Sequence, residues 1–176
     1  MSSAWPEDDD DDHYPYVDPK IRPSYEAAVG RLIVAYNEVD HRLTELIKTA
    51  IEHVPSGAQL AWMWVEPSLP KRINNLRCLS LLLPHAHISQ VDDADLLRLH
   101  KRRNLVAHGH FAQNPFDGSF SVIEPQNKGK RPTLLAISEV EAAAQELMAH
   151  AITLQALEVW GQFRNLDEWP PSPPVE

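Results

Sequence analysis

An arginine, an asparagine and a histidine stand close together at Arg103, Asn104 and His108. Those three side-chain types are enough for chemistry on a phosphodiester. A guanidinium neutralises phosphate oxygens, an imidazole with a reference pKa of about 6.5 moves a proton at neutral pH, and an amide orients either one. On a helix of about 100° per residue Asn104 and His108 lie one turn apart. Arg103 and His108 are then separated by about 7.5 Å along the axis, a gap that an arginine side chain spans.

The stretch around them, Leu96 to His110, reads L-L-R-L-H-K-R-R-N-L-V-A-H-G-H and predicts an amphipathic helix stopped at Gly109. Leu96, Leu99, Val106 and Ala107 define its apolar arc. Arg103 falls in the middle of that arc, with His100, Asn104 and His108 along one shoulder. Arg98, Lys101 and Arg102 point roughly the other way, so a solvated basic face exists without Arg103. A buried arginine needs a partner, because an unpaired charge taken out of water costs several kcal/mol. Glu38 or Asp40 could serve as that partner, and a purely structural Arg103 and His108 pair is the competing expectation.

The motif resembles that of the HEPN family of helical nucleic-acid-processing domains: an Arg, a polar residue, a few spacers and a His, often followed by Gly. Here it reads Arg103-Asn104-Leu105-Val106-Ala107-His108-Gly109, and the resemblance covers about residues 24 to 166. It implies a metal-independent endoribonuclease, toxin or defence-like, that works as a homodimer and leaves 2′,3′-cyclic phosphate and 5′-hydroxyl ends. Arg103 and His108 match its catalytic pair and Asn104 its intervening polar position. His100, Lys101, Arg102 and His110, which flank these residues, are the expected substrate-binding groups. RNA is the expected partner, with an antitoxin or regulatory protein as a further one, and neither cofactor nor metal is expected. The alternative is a non-catalytic module of the same kind that binds RNA, a nucleotide or a partner protein, since fold alone does not separate them.

A third class, a metal-responsive protein, would rest on His85, His87, His100, His108 and His110. Spacing speaks weakly for it. His100 and His108 are two turns apart, and His108 to His110 crosses a helix end with no cysteine or carboxylate beside it. The single Cys78 has no nearby partners for nucleophilic catalysis and reads as a small core or interface residue.

These groups require a scaffold, and the periodicity predicts an all-α, up-and-down bundle of four principal helices with a small β-hairpin excursion before the last. Ser24 follows Pro23 as an N-cap for a long helix to Ile51, with Val29, Leu32, Ile33, Tyr36, Val39, Leu43, Leu46, Ile47 and Ala50 as its stripe. Ala58 to Val65 predicts a short helical turn in which Trp62 and Trp64 pack. Ser68 caps a second helix with Leu69, Ile73, Leu76, Leu79 and Leu83 facing inward. Ser89 or Asp92 caps the third. Phe111 to Gln113 and Ser119 to Glu124 flank the turn signal N-P-F-D-G, and Thr133 to Ile137 forms a third extended run. Lys128, Lys130 and Arg131 in that excursion could grip substrate. Ser138-Glu139-Val140-Glu141 reads as a capping box opening the last helix, which Trp160, Phe163 and Leu166 extend.

Residues 1 to 22 read as a disordered acidic tail, 23 to 168 as the HEPN-like domain and 169 to 176 as a proline-rich tail. The formal net charge of −9 argues at first sight against a polyanionic ligand. Seven of the 25 acids lie within the first 18 residues, however, and all 16 Lys and Arg lie outside them, which leaves 18 acids against 16 bases. Between 71 and 110 the balance is basic, with Lys71, Arg72, Arg77, Arg98, Lys101, Arg102 and Arg103 against Asp92, Asp93 and Asp95. One cysteine, no apolar run of about 20 residues and an acidic opening unlike a signal peptide read as a cytoplasmic chain with no membrane partner.

Overall fold

The computed structural model describes residues 20–54, 57–114, 116–123 and 132–163, apart from the side chains of His85 and residues 160–163. It is mostly helical and carries one small antiparallel sheet. The four α-helices are α1 (Ile21–Glu52), α2 (Leu69–Leu82), α3 (Asp93–His108) and α4 (Ile137–Phe163); strands β1 (His110–Gln113), β2 (Phe120–Ile123) and β3 (Thr133–Leu134) lie between the last two. The aspartate run, Lys128, Lys130, Arg131, Leu166 and the proline-rich end lie outside the described residues. No helix among the described residues is long and apolar enough to cross a membrane.

Helix α1 starts at Ile21, so residues 21 and 22 are helical and Ser24 sits inside the first turn. Pro23 is tolerated there because the first backbone N–H groups of a helix have no intrahelical acceptor. The Ser24 hydroxyl accordingly donates back to the Lys20 carbonyl at 2.8 Å instead of capping. On α3 the cap falls on Asp92, whose carboxylate accepts from the Asp95 N–H at 2.9 Å. Helix α4 begins two residues earlier than the capping box suggests. The Ala136 carbonyl accepts from Glu139 N and Val140 N, and Glu139 accepts from Ala136 N at 3.4 Å. The third extended run is therefore cut to Thr133–Leu134.

At 32 residues α1 is about 48 Å long, whereas the 14 residues of α2 reach only about 21 Å. The shorter helix cannot carry the chain back along the whole of the longer one. Contacts with α1 therefore move stepwise toward its N-terminus: Arg72 of α2 meets Asp40 and Thr44, His100 of α3 meets Tyr36, and Phe111 of β1 meets Tyr25. Ion pairs Arg31–Glu141 and Arg42–Glu158 show that α1 and α4 run in the same direction. Arg98–Glu146, Arg102–Glu139 and Asp95–His150 show that α3 opposes α4. Strict up-and-down alternation does not describe this order, because two successive elements share the length of α1.

Leu32, Val39, Leu43 and Ile47 of α1, Ile73 and Leu79 of α2, Leu96, Leu99 and Val106 of α3 and Leu147 and Leu154 of α4 meet in one core. Burial of each such aliphatic side chain contributes about 1.5–3 kcal/mol. Trp64 packs against that core with Lys48 Nζ 4.8 Å from its ring centroid, while Trp62 and Cys78 are exposed. The sheet is a meander in the order β1-β2-β3, with Phe111 opposite Val122 and Val122 opposite Thr133. It sits hard against the end of α3. A Cβ on Gly109, whose φ of −74° any residue could adopt, would collide with Val122 and the Leu105 carbonyl. Close approach, not a left-handed turn, is what requires glycine there.

Candidate functional site

Arg103 leaves α3 toward α1 and lies over an aromatic ring. Its guanidinium carbon is 4.5 Å from the centroid of Tyr36, an arrangement worth about 0.5–2 kcal/mol. One terminal N–H donates to Asn104 Oδ1 at 3.1 Å. The Nε atom is buried and has no hydrogen-bond partner. Glu38 is engaged by Arg42 at 2.8 Å. Asp40 is engaged by the buried Arg72, which also donates to Thr44 Oγ1 at 2.5 Å. Neither carboxylate is the partner of Arg103.

The rest of the arrangement follows from which groups can donate. A guanidinium has no acceptor, so the Asn104 carbonyl faces Arg103 and the amide nitrogen faces His100 Nε2, 2.9 Å away. An amide NH₂ has no acceptor either. Nε2 must therefore be bare, which puts the imidazole proton on Nδ1, 2.7 Å from Tyr36 Oη. Donors run in one direction from Arg103 through Asn104 and His100 to Tyr36. Burial holds the His100 pKa below 6.5, the Arg103 charge adds to that, and Asp40 opposes it. Burial raises the Tyr36 pKa above 10 against the pull of Arg103, with Asp40 adding to the rise and Arg72 opposing it.

His108 is exposed at the last turn of α3, and its imidazole has no hydrogen-bond partner among the described residues. Thus Arg103 and Asn104 are joined, His100 is joined to them, and His108 stands apart on the same helix, open to solvent. Lys101 and His110 are exposed as well. Arg102 is half-buried and reaches Glu139 of α4 at 3.4 Å. The basic segment is less free than its composition suggests, because Lys71, Arg72, Arg77, Arg98 and Arg102 all meet carboxylates. Of those seven bases Lys101 and Arg103 have no carboxylate partner among the described residues. His100 has both nitrogens occupied within the protein, which removes it from direct contact with substrate in this state.

Tyr36 is the residue that sequence reasoning placed in the apolar stripe without further role. A tyrosine in an otherwise aliphatic stripe was the available signal, since a buried hydroxyl seeks a partner. A second feature lies beyond the motif helix. Tyr25 stacks on Phe120 with centroids 4.0 Å apart and meets the edge of Phe111 at 5.4 Å. These rings, with Arg22, Glu26 and Gln113, line a cavity of about 470 Å³. The Tyr25 hydroxyl is buried without a partner, and burial pushes its pKa up to about 12. Among the described residues no three His, Cys, Asp or Glu side chains are grouped so as to hold a metal ion.

Set against family models, curated proteins and solved structures, the chain matches none of them.

Proposed function

We propose that this chain is a metal-independent endoribonuclease of HEPN type, its helices forming a bundle of that kind, working as a homodimer in a toxin or defence-like role in the cytoplasm. One observation carries the reading. Among the described arginines Arg103 alone has no carboxylate partner, although it is half-buried and held in place by a ring and an amide. A positioned and uncompensated cation is what a phosphate, and more so a phosphorane, calls for.

In this mechanism His108 takes the proton of a ribose 2′-hydroxyl, and O2′ attacks the adjacent phosphorus. The P–O2′ bond forms, the P–O5′ bond breaks and O5′ receives a proton, giving a 2′,3′-cyclic phosphate and a 5′-hydroxyl. Arg103 balances the charge of the phosphorane, and Asn104 holds Arg103. In a two-fold cleft along α3 the second His108 supplies the proton to O5′. Exposure of His108 on the same helix as the partly covered Arg103 supports access of a polyanion to this end of α3. An antitoxin or regulatory protein that covers this surface belongs to the same proposal.

The second reading is a non-catalytic module that binds RNA, a nucleotide or a partner protein through Arg103, and it draws on His108 having no orienting hydrogen bond among the described residues. Incubating the purified full chain with total RNA in EDTA and analysing the ends separates the two. Cyclic phosphate and 5′-hydroxyl ends are expected. Intact RNA with measurable RNA binding favours the binding module.

A further inference from the structure

Arg103 is aimed by Asn104, and Asn104 is in turn aimed by His100 one turn earlier on the same helix. We infer that His100 is a positioning residue whose neutral Nδ1–H form fixes the Asn104 amide toward Arg103, and whose protonation at Nε2 turns that amide over and releases the guanidinium. The inference rests on Arg103 acting at phosphate. It goes beyond that reading by placing control of Arg103 on a histidine that does not meet substrate.

The argument is one of donors and acceptors. His100 Nε2 accepts from Asn104 Nδ2 at 2.9 Å, and Asn104 Oδ1 accepts from Arg103 at 3.1 Å. A proton on Nε2 sets two donors face to face. Rotation of the amide by half a turn removes that conflict but presents its NH₂ to Arg103, which only donates. One proton thus costs Arg103 its only side-chain hydrogen bond among the described residues, while the Tyr36 ring beneath it stays in place. Nδ1 does not relieve the conflict, because it is already directed to Tyr36 Oη at 2.7 Å.

The surroundings set which form prevails. From α1 the imidazole faces Tyr36 and, at longer range, Asp40, whose charge favours protonation; from α2 Arg72 occupies that carboxylate. On α3 the Arg103 charge and the burial of the ring oppose protonation. The α4 groups that approach α3, Glu139, Glu146 and His150, are taken up by Arg102, Arg98 and Asp95. The neutral form is therefore the resting one at neutral pH, and acid is the condition that reverses it.

Long-range proton–nitrogen correlation spectra of the ¹⁵N-labelled full chain test this directly. At neutral pH His100 should show a protonated Nδ1 and a bare Nε2. On acidification its midpoint should fall below the reference value of about 6.5, and the Asn104 amide and Arg103 guanidinium signals should move with that same midpoint. A protonated Nε2 at neutral pH overturns the inference, and so do Asn104 and Arg103 signals that ignore the His100 midpoint. The rate of RNA cleavage gives a second readout. Protonating His100 frees Arg103, so the wild-type rate should fall below the His100 midpoint more steeply than that of a variant without this proton. His100→Gln offers one donor and one acceptor without titrating; it should stay within about tenfold of the wild-type neutral rate and lack the added steepness, whereas His100→Ala should be impaired at every pH. A His100→Gln profile as steep as wild type overturns the positioning role. RNA left intact by wild type at every pH removes the ribonuclease reading, and the ring-nitrogen signals still decide the role of His100.

Discussion

The two sides of α3 treat charge in opposite ways. Toward α4, Arg98 meets both Asp95 and Glu146, Arg102 meets Glu139, and Asp95 also meets His150. Toward α1, Arg103 meets a tyrosine ring and a neutral amide. On the α4 side cation and anion sit at a wet seam, where exposed pairs contribute about 0–1 kcal/mol each and serve to register the helices. On the α1 side a carboxylate would have been the ordinary companion for Arg103, and the two candidates, Glu38 and Asp40, are engaged by Arg42 and Arg72. Neighbouring arginines on one helix thus differ in whether their charge is cancelled. A charge that is positioned but not cancelled remains available to a ligand.

Breaking the α1 side should have the largest effect. Arg103→Ala and His108→Ala are each expected to lower RNA cleavage by about 10²–10⁴-fold, while circular dichroism and sedimentation stay as in wild type. Arg102→Ala, with the same charge change one residue away, is the matched control. Equal losses for Arg102→Ala and Arg103→Ala, measured on one RNA oligonucleotide, would erase the distinction between the two sides. Asn104→Leu comes next. It leaves both the guanidinium and His100 Nε2 without their side-chain partner, for about 1–3 kcal/mol of stability, read from urea midpoints at an unaltered slope. Arg102→Ala, whose partner Glu139 is 48% exposed, should change stability by no more than about 1 kcal/mol, and less in high salt.

Much of this contrast was legible in the chain, and the part that was not has a physical reason. Arg103 interrupts the spacing of Leu96, Leu99 and Val106, so a polar group facing a core was visible before any fold was known. The buried stripe of α2 and, apart from the exposed Ala107, that of α3, the Asp92 cap and the small sheet after Gly109 follow from period and turn chemistry in the same way. Partner choice was beyond reach. Whether Arg103 meets Asp40 or Tyr36 depends on how α1 and α3 cross, and the periodicity of one helix carries no information about its angle to another. Direction was hidden for the same reason, although the shortness of α2 beside α1 was a hint that alternation would fail. Glu139 read only as a helix-start residue. It also closes the Arg102 pair, because a helix opening beside another helix presents its first turn to that neighbour.

The smallest expected effect separates the two sides by pH. His100 has a folded-state pKa below its ordinary value, caused first by burial and then by Arg103. The unfolded chain therefore takes up a proton on this residue before the folded one does. Its contribution to stability is complete above about pH 6.5 and is lost as pH falls from there toward the folded-state value. Asp95 is also depressed, here by hydrogen bonds from Arg98 and then His150. Its contribution is complete above the ordinary carboxylate value of about 3.9 and is lost only below it. Acid should thus loosen the α1 side first and the α4 side later. Urea unfolding of wild type, His100→Gln and Asp95→Asn at about pH 7, 5.5 and 3.5 reads this order. The gap between wild type and His100→Gln should narrow or change sign between the first two conditions, and the gap to Asp95→Asn should hold until the third. If both gaps move together, the two sides of α3 do not respond as separate units, and the proton that weakens the α1 side is not on His100.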